Sequence, residues 1–136
     1  MLEHEELTGR IIGAAMYVHR CLGPGLLESA YENCLVAEFD HLGIDYSQQI
    51  EVPVEHRGKR LDCGYRVDLL VQDTVILELK SVQKVEPIHE AQLLTYLRLM
   101  NKPVGLILNF NVPVLKDGIF RRALTNSSSA TSASPR

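Results

Sequence analysis

The stretch that decides the fold is YRVDLLVQDTVILELK, residues 65–80. Two runs rich in apolar and β-branched residues flank the polar break at 72–74, which predicts an antiparallel hairpin. Because side chains alternate between the two faces of a strand, Glu78 and Lys80 share one face, while the leucines beside them point into the core. The reversal of the chain is expected to bring Asp68 close to Glu78.

These three charged side chains form the first candidate site. Hydrolysis of a phosphodiester needs an activated water and stabilisation of charge on the phosphoryl oxygens, and carboxylate-held Mg²⁺ or Mn²⁺ supplies both. Asp68 and Glu78 are the predicted metal ligands. Lys80 is predicted to orient or deprotonate the water, or to neutralise the phosphoryl group. An acid and a base on one strand face are also typical of a cross-strand salt bridge, so the tripeptide alone leaves both interpretations open.

Glu28 is the third candidate metal ligand. Glu28, Tyr31 and Leu35 stand at i, i+3 and i+7 of a predicted helix, so the carboxylate lies on or beside the apolar stripe of that helix. An ionised acid seldom stays unpaired in such a place. The functional hypothesis is that Glu28 reaches the same metal site. The alternative is a salt bridge at the helix start, where the helix dipole also favours an acid.

Four further side chains are candidates for binding or orienting the substrate. Tyr31 lies on the same stripe as Glu28. Gln92 and Tyr96 stand at i and i+4 of a later predicted helix, so both are expected to face the sheet edge near the site, although an amphipathic boundary pair has the same spacing. His19, near the end of the first predicted helix, is a candidate for proton transfer or a second metal position. An ordinary surface or core histidine is the alternative.

The remaining pattern predicts a sheet flanked by helices. Apolar residues recur at helical spacing over 7–22, 26–42 and 88–100, and strand patterns cover 48–54, 65–71, 75–80, 104–110 and 119–124. Gly43 is the predicted cap of the second helix. The first three strands are expected to form a meander, with a turn at 56–59. The fold class is α/β, or α+β by strict accounting, with a mixed central sheet.

Length and composition indicate a single domain. A chain of 136 residues, 46% apolar and 23% charged, is long enough for one packed core and too short for two. The domain is assigned to residues 1–125, and the serine-rich residues 126–136 are predicted to be a disordered tail. The absence of a long apolar run and of a secretory leader predicts a cytoplasmic protein. The odd set Cys21, Cys34 and Cys63 is predicted to be small core residues.

The net charge of −3 argues modestly against binding of nucleic acid by bulk attraction. Carboxylates of a metal site contribute to this negative charge, and a bound cation would neutralise them. Two basic clusters, residues 57–60 and Arg121-Arg122, are candidates for contact with a phosphate backbone. Solvated turns or strand ends explain them equally well.

Several motifs resemble one known family. Gly25-Leu26-Leu27-Glu28-Ser29-Ala30-Tyr31 is similar to the signature of the GxxExxY proteins, a branch of the PD-(D/E)XK nuclease superfamily. Other stretches that resemble the family are residues 18–19, 22–25, 64–68, 78–80, 89–97 and 109–113. Gln92 and Tyr96 are similar to the QxxxY element of RecB-type exonucleases. Val67 occupies the place of the motif's proline, and the sequence has no cysteine cluster of the iron–sulfur kind seen in some RecB-like relatives.

The resemblance implies a restriction-endonuclease-like core, with Glu28, Asp68 and Glu78 as acidic positions and Lys80 as the catalytic lysine. It implies Mg²⁺ or Mn²⁺ as cofactor and nucleic acid as partner, DNA being favoured over RNA. The implied activity is hydrolysis of DNA phosphodiester bonds in repair, recombination or defence. A homodimer or a protein partner is compatible with so small a nuclease. The alternative function is a catalytically silent module that keeps the nuclease fold and binds nucleic acid or a protein.

Overall fold

A central sheet lies between two helical layers in the computed structural model, which describes residues 4–125. The tail predicted at 126–136 lies outside the described residues. In chain order the elements are α1 (Glu5–Leu22), α2 (Glu28–Leu42), β1 (Tyr46–Glu51), β2 (Val54–His56), β3 (Lys59–Leu61), β4 (Arg66–Val71), β5 (Val75–Lys80), α3 (Pro87–Met100), β6 (Val104–Asn109), a 3-10 turn (Leu115–Gly118) and β7 (Ile119–Ala123).

The main sheet has five strands in the order β1-β4-β5-β6-β7. The β5–β6 pair is parallel and the other three pairs are antiparallel. A parallel pair needs a crossover connection, and α3 supplies it. The predicted α/β class with a mixed, helix-flanked sheet is therefore confirmed, as is the hairpin of β4 and β5.

Each face of the sheet is buried under helices. One core cluster joins α1 and α2 to the face that carries Leu77 and Leu79, and a second joins α3 to the face that carries Ile76. This alternation along β5 puts Glu78 and Lys80 on one face, as predicted, and that face is the one covered by α3. No helix within residues 4–125 is long and apolar enough to cross a membrane.

Helix ends follow the local chemistry of the sequence. Gly43 ends α2 in the left-handed conformation, φ 73°, and its N–H donates to the last carbonyls of the helix, which confirms the predicted cap. Pro87 occupies the first turn of α3, where a missing N–H costs nothing. Just before it, the N–H of Glu86 donates to Nδ1 of His89 at 2.9 Å.

The segment after β1 differs from the prediction. Val54 was expected to continue the first strand, but that strand ends at Glu51, and Pro53, which has no N–H to donate, follows it. Residues 54–61 instead form a separate two-stranded hairpin, β2–β3, with its own turn. The predicted meander of β1, β4 and β5 exists, with this hairpin inserted between β1 and β4.

The prediction that the cysteines are core residues is wrong. Cys21, Cys34 and Cys63 are all exposed and unpaired. The first two line an open groove on the outer side of α1 and α2, and the third lies in the loop before β4. Other residues, among them Ile11, Ala15 and Leu35, fill the core positions of these helices, and the thiols remain at the surface.

Gly118 lets the 3-10 turn approach β6, and its replacement is expected to be costly. A Cβ at this position would collide with the carbonyl oxygen of Asn109. We expect Gly118→Ala to lower the free energy of unfolding by about 2–3 kcal/mol, measured by urea denaturation. Gly13→Ala is the matched control, because nothing lies within 4 Å of the added methyl on α1. That variant is expected to gain about 0.5–1 kcal/mol. Equal stability of the two variants would contradict the packing at Gly118.

Candidate active site

The site begins where β4 and β5 separate. Their ladder ends at the pair of Leu69 and Leu77, after which β4 continues against β1, and β5 against β6. In place of the next ladder bonds, the N–H of Asp68 donates to Oε2 of Glu78 at 3.0 Å. The N–H of Leu79 donates to Oδ2 of Asp68 at 2.7 Å. Each carboxylate is thus fixed to the other strand by one oxygen.

Both carboxylates resist ionisation. Burial raises the pKa of Asp68, against the opposing effect of the hydrogen bond from Leu79. Burial, followed by the charge of Asp68, raises the pKa of Glu78 to about 8, although the charge of Lys80 acts in the other direction. None of the three is in a salt bridge within residues 4–125. The cross-strand salt bridge that was the alternative interpretation is therefore not formed. No cation in residues 4–125 forms a salt bridge with either acid.

Glu28 reaches this end of β5 from the first residue of α2. Its Oε2 accepts a hydrogen bond from the N–H of Ser81, the residue after Lys80, at 3.2 Å. The hydroxyl of Ser81 donates to the carbonyl of Leu26 at 2.5 Å, a second link between the two segments. The charge of Glu28 contributes to the raised pKa of both Asp68 and Glu78. Glu28 has no salt bridge in the described part of the chain, so that alternative is not observed.

Tyr31 explains the spacing of the glycine–glutamate–tyrosine motif. It is fully buried, and its hydroxyl donates to the Gly23 carbonyl at 2.6 Å and accepts from the N–H of Leu26 at 3.1 Å. Its ring stacks on Phe110, with centroids 4.4 Å apart. Gly25 takes φ 95° in the turn between these bonds, a conformation that favours glycine. Tyr31 therefore fixes the loop that presents Glu28 and has no surface for a substrate.

Removal of the Tyr31 hydroxyl should loosen that loop. In Tyr31→Phe, the Gly23 carbonyl and the Leu26 N–H lose their partly buried hydrogen bonds to the hydroxyl, and we expect the free energy of unfolding to fall by about 1–3 kcal/mol in urea denaturation. Tyr46→Phe is the matched control, because its hydroxyl donates to Asp40 at 2.9 Å on the exposed surface. That change is expected to cost less than about 1 kcal/mol. Equal losses in the two variants would contradict the structural role of Tyr31.

Tyr96 and Gln92 lie on α3, which covers the face of Glu78. Tyr96 is 6% exposed, and burial followed by the charge of Glu78 raises its pKa to about 12. Its ring centroid lies 6.2 Å from that of Tyr65, which is half exposed. Gln92, one turn earlier, is half-buried and makes no hydrogen bond to another residue of 4–125. The structure thus brings Tyr96 near the acids and leaves the amide of Gln92 available.

His19 has other neighbours. It is buried, its Nε2 lies 2.8 Å from the carbonyl oxygen of Val112, and its ring lies 6.2 Å from that of Phe110. These contacts join α1 to the loop after β6 and include none of the acids or Lys80. The geometry indicates a core histidine that anchors this loop.

Two residues beside Asp68, Glu32 and Gln49, were not predicted from the sequence. Glu32 accepts hydrogen bonds from the side-chain amides of Gln48 at 2.9 Å and Gln49 at 3.3 Å. The Gln49 amide also lies 3.5 Å from Oδ1 of Asp68, and the charge of Glu32 helps to raise the pKa of Asp68. The i, i+4 spacing of Glu28 and Glu32 was the signal that could have identified Glu32.

Asn109 lies in the stretch 109–113 that resembles the family, but its role, which is to hold the segment that follows β5, was not predicted. It is 2% exposed, its Oδ1 accepts from the N–H of Val82 at 3.1 Å, and its Nδ2 donates to the carbonyl of Val82 at 3.0 Å. This pair of bonds fixes the chain just after Lys80 and Ser81. An asparagine that ends an apolar strand was the available signal, but its partner is 27 residues away in sequence.

The donor atoms fit a hard divalent cation. Within residues 4–125, no group of three or more His, Cys, Asp or Glu side chains is arranged so that it could hold a metal ion, so Glu28, Asp68 and Glu78 do not form a three-carboxylate site. Magnesium commonly takes only one or two carboxylates and completes its shell with water and substrate phosphate. Asp68 and Glu78 each keep a second oxygen, and a nearby cation would favour the ionised carboxylates that burial and the neighbouring acids disfavour. The pair therefore suits Mg²⁺ or Mn²⁺ bound in an open site.

A mixed sheet between helical layers, with two acids and a lysine where its strands separate, defines a restriction-endonuclease-like α/β protein. A family model described as the PD-(D/E)XK nuclease superfamily matches residues 5–122. The chain belongs to this superfamily. The match runs from α1 to β7 and includes Glu28, Asp68, Glu78 and Lys80. Neither the curated proteins nor the solved structures gave a match.

Proposed function

We propose that this protein is a Mg²⁺- or Mn²⁺-dependent nuclease that hydrolyses phosphodiester bonds of DNA. The observation that carries the proposal is the pair Asp68 and Glu78 at the separation of β4 and β5, half-buried and without a salt-bridge partner in residues 4–125. Family membership supports nucleic acid as the partner. Partial burial of two carboxylates lowers the stability of the fold, and a purely structural role would not compensate for that loss of free energy.

Asp68 and Glu78 would hold the cation, with Glu28 beside them. A bound Mg²⁺ or Mn²⁺ supplies neutralisation of charge on the phosphoryl oxygens and an activated water near neutral pH. Lys80 lies on the face of Glu78 and is half-buried, so its ammonium would be held close to the phosphoryl group. It would neutralise charge that develops there and orient the attacking water.

Side chains of the two flanking helices would position the substrate. The amide of Gln92 is available to hydrogen-bond DNA or the ammonium of Lys80. The raised pKa of Tyr96 keeps its hydroxyl protonated even well above neutral pH, so the hydroxyl would act as a hydrogen-bond donor. Tyr31 would act indirectly, through the loop that carries Glu28.

We further infer that the chain belongs to the GxxExxY branch, with RecB-type use of Gln92 and Tyr96. The contacts of Gly25, Glu28 and Tyr31 give a physical reason for that spacing. Repair, recombination or defence against foreign DNA would use such an activity in the cytoplasm. Cleavage of both strands of a duplex would be easier with two sites, which a homodimer would provide.

The test is a calorimetric titration of Mn²⁺ into the wild type and into the double variant Asp68→Asn, Glu78→Gln. The same preparations are then incubated with labelled single-stranded DNA, double-stranded DNA and RNA. We expect the double variant to lose both metal binding and cleavage. The double variant Glu6→Gln, Asp117→Asn is the matched control, because both acids are exposed and lie on α1 and the 3-10 turn.

The outcomes separate the alternatives. Metal binding and DNA cleavage by the wild type and the control, both lost in the site variant, would support the proposal. Metal binding without cleavage of any substrate would favour the catalytically silent module. Faster cleavage of RNA than of DNA would mean that the substrate is RNA and not DNA. Absence of Mn²⁺ binding in the wild type would overturn the metal-dependent site.

A further inference from the structure

The hairpin β2–β3, residues 54–61, projects from the fold with little packing of its own, and we name it the basic arm. Its two strands pair only with each other. Val54 is half-buried, and every later residue of the arm is exposed. A two-stranded hairpin is marginally stable alone, so a surface hairpin of this kind gains most from a partner.

The arm is nevertheless held in a defined shape. Its turn residues, Arg57 and Gly58, have φ 54° and 79°, the paired positive values of the turn that best matches strand twist. At its base, the N–H of Val52 donates to the carbonyl of Tyr65 at 2.9 Å, and Val52 is buried in the core cluster under α3. The arm is thus a fixed projection rather than a slack loop.

The charge of the arm is opposite to that of the rest of the chain. Residues 54–61 carry three cations and one anion, a net charge of +2, in a chain of net charge −3. The three cations, Arg57, Lys59 and Arg60, lie in or beside the turn and are exposed. No salt bridge in residues 4–125 uses them. By contrast, Arg122 of the second basic cluster is paired with Glu90 on α3.

Short segments also connect the arm to β1 and to β4, the strand that carries Asp68. The chain leaves β1 after Glu51 and returns at Arg66, two residues before Asp68. The chain from Lys59 to Asp68 can span at most about 30 Å. A turn of a DNA duplex is about 34 Å long, so one duplex turn can contact the arm and the acids together.

We propose that the basic arm binds the phosphate backbone of the DNA whose phosphodiester lies at Asp68 and Glu78. This inference rests on the proposed nuclease function. The cations of Arg57, Lys59 and Arg60 would neutralise neighbouring phosphates, and the affinity of the enzyme for DNA would depend on salt through them. The arm adds binding without touching the reacting atoms, so it acts on KM and not on kcat.

The test is steady-state cleavage of labelled double-stranded DNA at several salt concentrations. The arm variant is Arg57→Gln, Lys59→Gln, Arg60→Gln. The matched control removes three exposed cations elsewhere, Arg20→Gln, Arg98→Gln, Lys116→Gln. We expect the arm variant to raise KM about ten- to hundredfold at near-physiological salt, with kcat within about threefold. The slope of log(kcat/KM) against log[salt] should become less steep by about 2–3. The control should change neither.

Each outcome decides the inference. If the wild type cleaves DNA and the arm variant has the same KM and the same salt slope as the wild type, the arm inference fails and the nuclease function stands. Equal losses in the arm and control variants would also overturn it, because total charge would then explain binding. If the wild type neither binds nor cleaves DNA, the proposed function and the arm inference fail together. The single reversal Lys59→Glu, with circular dichroism and urea denaturation, keeps the test valid should the triple variant unfold. It should raise KM more than Lys116→Glu.

Discussion

Lys80→Met is expected to lower the rate of DNA cleavage about a hundred- to thousandfold while Mn²⁺ binding remains within about tenfold of the wild type. The methionine side chain keeps the apolar stem of the half-buried lysine and removes its charge. Lys80 is on the face of β5 that carries Glu78, but it is not paired with either acid of the site. Its ammonium is therefore free to act on a substrate.

This result would separate the two kinds of group in the site. Variants of the acids should lose metal and activity together, whereas loss of the lysine should leave the metal bound and the reaction slow. Mn²⁺ binding is measured by calorimetry, and cleavage by single-turnover assays at saturating protein. Lys116→Met, an exposed lysine of the 3-10 turn, is the matched control and should cleave at the wild-type rate. A folded Lys80→Met variant that cleaves as fast as the wild type would remove Lys80 from the mechanism.

Glu78→Gln is expected to stabilise the metal-free protein at high pH. Glutamine keeps an oxygen that accepts the hydrogen bond from the N–H of Asp68, and it cannot ionise. In the wild type, burial and then the charge of Asp68 raise the pKa of Glu78 from 4.5 to about 8. The wild type must therefore either bind a proton or hold a buried charge near neutral pH.

The sign of the effect follows from proton linkage. Because the pKa is higher in the folded state, the contribution of Glu78 to stability is fully present below its unfolded pKa and is lost as the pH rises through about 8. Each pKa unit is equivalent to about 1.4 kcal/mol. Relative to the wild type, the variant is expected to gain on the order of 3 kcal/mol between about pH 5 and pH 9. Asp68 shares this titration, since the two carboxylates interact.

The measurement is urea denaturation of both proteins in a chelator across that pH range. Glu6→Gln, an exposed acid in the first turn of α1, is the matched control and should show a difference from the wild type that does not vary with pH. If the stability difference between Glu78→Gln and the wild type is also independent of pH, Glu78 has an ordinary pKa in the folded protein. If Glu78→Gln loses cleavage activity and gains stability, Glu78 lowers the stability of the protein and is required for its activity.

Local patterns predicted most of the elements, because helices and strands depend on the spacing of neighbouring residues. The alternation in 75–80 placed Glu78 and Lys80 on one face, and Gly43 marked a helix end. The hairpin of β4 and β5 followed from the polar break between two apolar runs. The pattern misled at Val54, where Pro53 and an inserted hairpin interrupt the alternation. It also misled for the cysteines, because a small apolar side chain is tolerated on a surface as well as in a core.

The candidate site was predictable in its composition and only partly in its arrangement. Family resemblance and strand alternation both pointed to Asp68, Glu78 and Lys80. Glu32, Gln49 and Asn109 were not predicted, since their roles depend on partners from distant parts of the chain. The tertiary structure also gave Tyr31 and His19 structural contacts, because each is buried and bonded to a main-chain carbonyl.

The sequence by itself determined the α/β class, the order of the helices and the identity of the charged side chains at the end of β5, because these depend on residue type and short spacing. Only the tertiary structure decided that the ladder of β4 and β5 stops at the acids, that Glu28 is tied to Ser81, and that the basic arm stands apart from the main sheet. These features depend on contacts between segments up to 53 residues apart, where burial and hydrogen bonding, rather than local preference, select the conformation.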